Sequence, residues 1–226
     1  MSRLSLLGVA PILLLLVPAT AAEYRVEPLK EGPPKDEISA ELAAALDSSG
    51  IRVLRGEKAP YCEIWLCNQL EIAADAKRPP TAHYPFRSGQ LIGVVRYARS
   101  GADFREQKIS KGIYTLRYAL MPTDGAHEGV FPTRDFLLLV HAAKDRSLAD
   151  IKDLEALQEL SAQAVESSHP GILCLRQVAG DAKASLSIRH DEGADWWILR
   201  FPWKAKTSSA VQEKEAELVV FGHVKE

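Results

Sequence analysis

Ile113-Tyr114-Thr115-Leu116-Arg117-Tyr118-Ala119-Leu120-Met121 is the stretch whose reading decides the fold. Tyr114, Leu116, Tyr118 and Leu120 fall at every second position, with Thr115 and Arg117 between them. That is the period of a strand with one apolar face, so the stretch predicts a half-buried antiparallel strand leaving the Lys111-Gly112 turn. Downstream, Phe136 to Val140 is apolar on both faces and reads as a central strand.

Working outward from this pair, Leu91 to Tyr97 is the preceding strand, after a proline-rich loop through Pro79, Pro80 and Pro85. Ile51 to Arg55 and Tyr61 to Cys67 form a hairpin about Gly56-Glu57. Asp36 is placed to cap a short helix carrying Ile38, Leu42, Ala45 and Leu46 on one face, ending at Ser48-Ser49-Gly50. Residues 22–35, with Glu31-Gly32-Pro33-Pro34, read as a flexible lead.

On the other side a second helix is expected over 148–167, with Ser147 and Asp150 as a capping box. Its apolar stripe is Ile151, Leu154, Leu157, Leu160 and Ala164, and His169-Pro170-Gly171 stops it. Four strands complete the chain: Ile172 to Gln177, Ser185 to His190, Trp196 to Phe201 and Glu217 to His223. Many short strands and two helices predict a mainly β protein. The expected architecture is an antiparallel β-sandwich or barrel-like domain with two packed α-helices, one domain over 36–226.

The first residues read as an export signal rather than as fold. Arg3 supplies a positive start, Leu4 to Val17 an apolar core, Pro18 a break, and Ala19-Thr20-Ala21 the small residues of a cleavage site. The apolar run is shorter than the ~20 residues that span a bilayer, so residues 1–21 are expected to be removed. No cysteine marks the cut for lipid attachment, and no later run is long enough for a membrane span. About 205 of the 226 residues remain, expected in the periplasm or outside the cell. The formal charge of −2, with basic residues scattered among acids, argues against nucleic acid as a partner.

Export makes disulfides available to Cys62, Cys67 and Cys174. Along a strand Cys62 and Cys67 would sit roughly 16 Å apart on opposite faces, whereas a bridge needs Cα atoms within about 7 Å. The remaining pairing is Cys174 with Cys62 or with Cys67, leaving one thiol free.

LIGVVRYARSGADFREQKISKGIYTLRYALMPTDGAHEGVFPTRDFLLLV, over 91–140, resembles a group of uncharacterised secreted bacterial proteins. ISKGIYTL is similar, more distantly, to the I-x-x-G-x-Y-x-L strand of small extracytoplasmic β-sandwich proteins with a domain of unknown function. SLSIRHDEGADWWILRF is similar to that group's closing strands. The resemblance implies a sandwich fold and brings no catalytic residues with it.

Chemistry is best supplied by the long connection from Pro122 to Asp135, which holds Asp124, His127, Glu128, Arg134 and Asp135. Histidine with carboxylates suits a divalent metal or general acid–base work, and His141 at the end of the next strand would pair with His127. Against this, His127-Glu128 lacks the second histidine of a zinc-protease helix, and an Asp-Gly turn with an Arg134–Asp135 pair accounts for the same residues structurally. Asp191-Glu192-Gly193 reads as a hairpin turn beside His190, while His83, His169 and His223 stand alone. Adjacent Trp196 and Trp197 must point to opposite faces, so one is core and Trp197 is free to stack on a sugar. There is no G-x-S-x-G elbow, phosphate loop or dinucleotide fingerprint. The expectation is a non-enzymatic envelope module without a cofactor, binding a glycan or another envelope protein. Its rival is a metal-binding protein or metal-assisted hydrolase built on the 122–135 loop.

Overall fold

The computed structural model describes residues 23–72, 79, 81–123, 131–178 and 185–224. The export segment and Asp124, His127 and Glu128 lie outside the described residues. The molecule is mainly β, built on one curled sheet with two helices on its outside.

The lead is not loose. Tyr24–Leu29 forms β1 and pairs antiparallel with β2, Gly50–Arg55, through six residue pairs from Tyr24↔Arg55 to Leu29↔Gly50. Tyr24 and Leu29 are buried, which supplies the apolar contact that a lead would lack. The strand stands at the sheet edge, where Pro28 is tolerated because its missing N–H leaves no ladder bond broken on the open side. The expected hairpin follows, with Gly56 at φ 70° in its turn and β3 over Ala59–Leu66.

Helix α1 is Ala40–Ala45, shorter than expected. Ser39, not Asp36, is its cap, with Oγ accepting from the Leu42 N–H at 3.2 Å. β4 (Leu70–Glu71) is a two-residue strand, and β5 spans Leu91–Tyr97. A small hairpin of β6 (Gly101–Ala102) and β7 (Lys108–Ile109) leads to β8, Gly112–Leu120, and then to β9, Asp135–His141. Helix α2 covers Leu154–Ala164, capped by Asp153. β10 (Ile172–Arg176) and β11 (Ser187–Asp191) precede a long hairpin of β12 (Trp196–Lys206) and β13 (Val211–Phe221), whose strands extend well past the expected ends.

The sheet order is β1-β2-β3-β5-β8-β9-β10-β13-β12-β11, every pair antiparallel, with β4 added parallel to β12. Twist curls this sheet until its ends meet. The Tyr24 ring on β1 stacks on Phe221 of β13 at 4.9 Å and leans on Trp197 of β12 at 5.4 Å. Alternation along β9 then sorts two cores. Leu137 and Leu139 point into the curl with Tyr114, Leu116, Phe201 and Trp203, while Phe136, Leu138 and Val140 point outward to Leu157 of α2 and to Phe104.

β8 departs from its expected half-buried state, because both faces are covered. Thr115 and Arg117 are fully buried beneath the segment that runs from Asp145 to Ile151. All five guanidinium N–H groups of Arg117 are taken. Nε and Nη2 donate to the two Asp145 oxygens at 2.7 Å, and the others go to the carbonyls of Gly89, Ser147 and Ala149. This explains the late start of α2, since the carbonyls of Ser147 and Ala149, expected in or beside its first turn, are held by Arg117, and Asp150 pairs with Arg87 instead. Gly89 permits the crossing. Its φ is 79°, and a Cβ there would lie 1.9 Å from the Ile151 carbonyl oxygen.

The three cysteines are free, buried thiols. Cys62 and Cys67 belong to one apolar cluster and Cys174 to a separate one, so the expected bridge from Cys174 would have to join side chains that do not pack together.

Candidate functional site

A cleft of about 440 Å³ opens where β9 begins and β10 ends, lined by Ile72, His83, Tyr84, Pro85, Trp203 and Glu215 together with Gln177, Val178 and Lys214. Its wall is set by Asp135. That carboxylate is fully buried and accepts the backbone N–H of His83 at 3.0 Å, the N–H of Tyr84 at 3.1 Å and the Tyr118 hydroxyl at 2.6 Å. Held there, Tyr84 reaches across the sheet. Its hydroxyl donates to the Arg176 carbonyl at 2.6 Å and accepts from the Glu217 N–H at 3.0 Å, tying β10 to β13. Phe86 stacks on Tyr84 at 5.6 Å and meets Trp203 at a tilt at 4.8 Å, and Trp203 Nε1 donates to the Glu215 carbonyl at 3.1 Å. The floor is therefore aromatic and fixed.

Above it the polar groups are free. His83, Gln177 and Lys214 are exposed, and among the described residues no hydrogen bond or ion pair engages their side chains. Glu215 is different. Arg200 Nε donates to its Oε2 at 2.8 Å, while Oε1 is buried and has no hydrogen-bond partner. Burial raises the Tyr84 phenol far above its usual value, so it stays a neutral donor.

A second cleft, about 330 Å³, runs along Asn68, Gln69, Arg87, Gln90, Asp150 and Lys206. Its cations are already matched, Arg87 to Asp150 at 2.7 Å and Lys206 to Glu71 at 3.4 Å. The first cleft keeps the more unspent hydrogen-bonding capacity.

The residues expected to carry chemistry are distributed as follows. Asp135 reaches the site as its anchor rather than as a ligand-binding group. Arg134 does not pair with it; the guanidinium donates to the Met121 carbonyl at 2.7 and 2.9 Å and to Thr81. His141 closes the far end of β9, roughly 20 Å along the strand from Asp135, with its ring on Tyr114 at 4.7 Å. Asp135 and His141 thus do not converge. Among the described residues no group of three histidine, cysteine or acidic side chains is placed to hold a metal.

Trp197 stacks on His190 at 4.6 Å, and His190 Nε2 lies 2.8 Å from Asp195. Trp203, by comparison, is 4% exposed. His223, isolated in sequence, meets Glu106 at 3.1 Å. Sequence reading missed His83, Gln177, Lys214 and Glu215, which come from the proline-rich loop, the exit of β10 and strand β13 and carry no shared motif. The only usable signal was the alternation through Trp203, had that strand been extended to Lys206.

No family model, curated protein or solved structure matches this chain. The fold and the cleft define it as a barrel-like β protein with an amphipathic cleft at one end, and the functional reading rests on that geometry.

Proposed function

We propose that the protein is an exported binding module, working in the periplasm or outside the cell, that takes a small ligand or a group on an envelope partner in the Tyr84–Trp203–Glu215 cleft. The observation that carries this reading is the contrast inside the cleft. An immobilised aromatic floor lies beside exposed side chains with open hydrogen-bonding capacity, those of His83, Gln177 and Lys214. Rigid apolar surface with a few convergent polar groups is the common make-up of ligand sites, and the volume falls within their ~300–1,000 Å³ span.

The test is an amide-shift map. Mature protein is titrated with a fragment library, and shifts are expected to cluster at His83, Gln177, Val178 and Lys214. Shifts scattered elsewhere, or none at millimolar fragment, would reject the reading.

A further inference from the structure

We infer that an extended peptide segment of a partner protein adds to β13 as an antiparallel strand over 211–215, with a cation facing Glu213 and an anion facing Lys214. The inference rests on the binding reading above and names the ligand class of that cleft.

Tyr84 makes the edge available. β10 pairs with β13 at Leu175↔Leu218 and Arg176↔Glu217. There the Tyr84 hydroxyl stands in the ladder, donating to the Arg176 carbonyl at 2.6 Å and accepting from the Glu217 N–H at 3.0 Å. Glu217 therefore turns its N–H away from β12. Backbone groups alternate sides along an antiparallel strand, so Glu215, Glu213 and Val211 turn theirs to the same side. Lys214 and Gln212 spend theirs on Trp203 and Ala205 of β12. Trp203 Nε1 takes the Glu215 carbonyl. Among the described residues, the N–H groups of Val211, Glu213 and Glu215 and the carbonyls of Val211 and Glu213 have no partner. Residues 211–214 are exposed, and the cleft meets this edge at Lys214 and Glu215. An exposed run of unused ladder groups is a template for one more strand.

Charge selects a partner other than a second copy. Outward groups meet only when odd positions face odd positions. Two β13 edges would then set Glu213 against Glu213, or Lys214 against Lys214 with Glu213 against Glu215, and like charges directly opposite are unfavourable. The register with Val211 against Glu213 engages only residues 211–213. Glu213 and Lys214 have no ion pair among the described residues. Adjacent anionic and cationic residues on a guest strand satisfy both.

The experiment titrates the mature protein with Ac-Val-Glu-Lys-Thr-Val-NH2, whose Glu faces Lys214 and whose Lys faces Glu213 in the antiparallel register. Amide shifts over 211–215 are expected, with a Kd of ~1 mM or tighter. Bound peptide should slow hydrogen exchange at Val211, Glu213 and Glu215 and leave Gln212 and Lys214, already bonded to β12, nearly unchanged. N-methylation of the peptide's Lys, whose N–H points at β13, should weaken binding tenfold or more. N-methylation of its Glu, whose N–H points away, should not. Transposing Glu and Lys in the peptide should cost about fivefold, and the double substitution Glu213→Lys with Lys214→Glu should reverse that order. Both positions are exposed, so folding survives the exchange. Silent peptides beside fragments that do bind the cleft overturn strand addition and leave the binding reading standing. Peptide shifts without alternating protection, or with no dependence on which residue is N-methylated, overturn it equally. Silence from peptides and fragments alike removes both.

Discussion

Tyr84 lies 51 positions before Asp135 and donates its backbone N–H to that carboxylate at 3.1 Å, in a site closed to water. The bond joins the proline-rich loop to the start of β9, and with it the two walls of the cleft. An acidic residue at the end of a long loop is ordinarily suspected of chemistry. Here it is fully buried and already accepts from His83, Tyr84 and Tyr118, so it serves the fold.

Asp135→Asn tests this anchor. An amide turns one acceptor into a donor facing backbone N–H groups, which leaves buried donors unmet. A loss of about 2–3 kcal/mol is expected in urea unfolding, with faster hydrogen exchange at His83 and Tyr84 than elsewhere. Unchanged stability would show that the charge does not hold the loop.

The Arg117–Asp145 pair should behave as a unit. Both side chains are at most 4% exposed, and removing one strands the other without water. Arg117→Met is expected to cost about 3–5 kcal/mol, and Asp145→Leu a similar amount. The double variant should cost much less than the sum, because no buried charge is left. Additive losses in the double-mutant cycle would contradict that coupling.

This pair also shows where sequence reading reaches its limit. The alternation in β8, the hairpin at Gly56 and the extent of β5 were legible because each is a local pattern set by backbone period and turn chemistry. Arg117 was assigned to a solvated face, since nothing local reveals that a segment 28 positions away lies over it. The same blindness moved the start of α2. Ser147 and Asp150 have the spacing of a cap, but tertiary bonds to Arg117 and Arg87 claim those residues first. β1 is masked in the sequence by Pro28 and by the Pro33-Pro34 pair that follows it, although Tyr24 and Leu29 carry the apolar ends of an edge strand. The cleft was the least legible feature, because Tyr84, Gln177 and Glu215 meet only after the sheet has curled.

His141 gives the pH dependence a definite sign. Burial, and then the nearby positive charge of Lys144, lower its pKa below the ordinary value of 6.5. The folded state therefore favours the neutral ring stacked on Tyr114. Its contribution is complete above the unfolded value and is lost as pH falls from there through the folded value. Urea midpoints should drop from pH 7 downward, more steeply in wild type than in His141→Phe, which keeps a ring on Tyr114 and cannot take up a proton. Parallel curves for the two proteins would assign the acid sensitivity elsewhere.

Thiol counting tests the cysteine geometry. Burial pushes Cys67 and Cys174 up to about 12 and Cys62 further still, so almost none of the reactive thiolate exists near pH 8. Native protein should be silent toward an aromatic disulfide reagent, and the unreduced protein in guanidinium should release three equivalents together. Because Cys174 packs in a different apolar cluster from Cys62 and Cys67, oxidising conditions alone should not change that count. A single equivalent from the denatured, unreduced protein would mean that a bridge forms, and that Cys174 and one of Cys62 or Cys67 approach within about 7 Å after all.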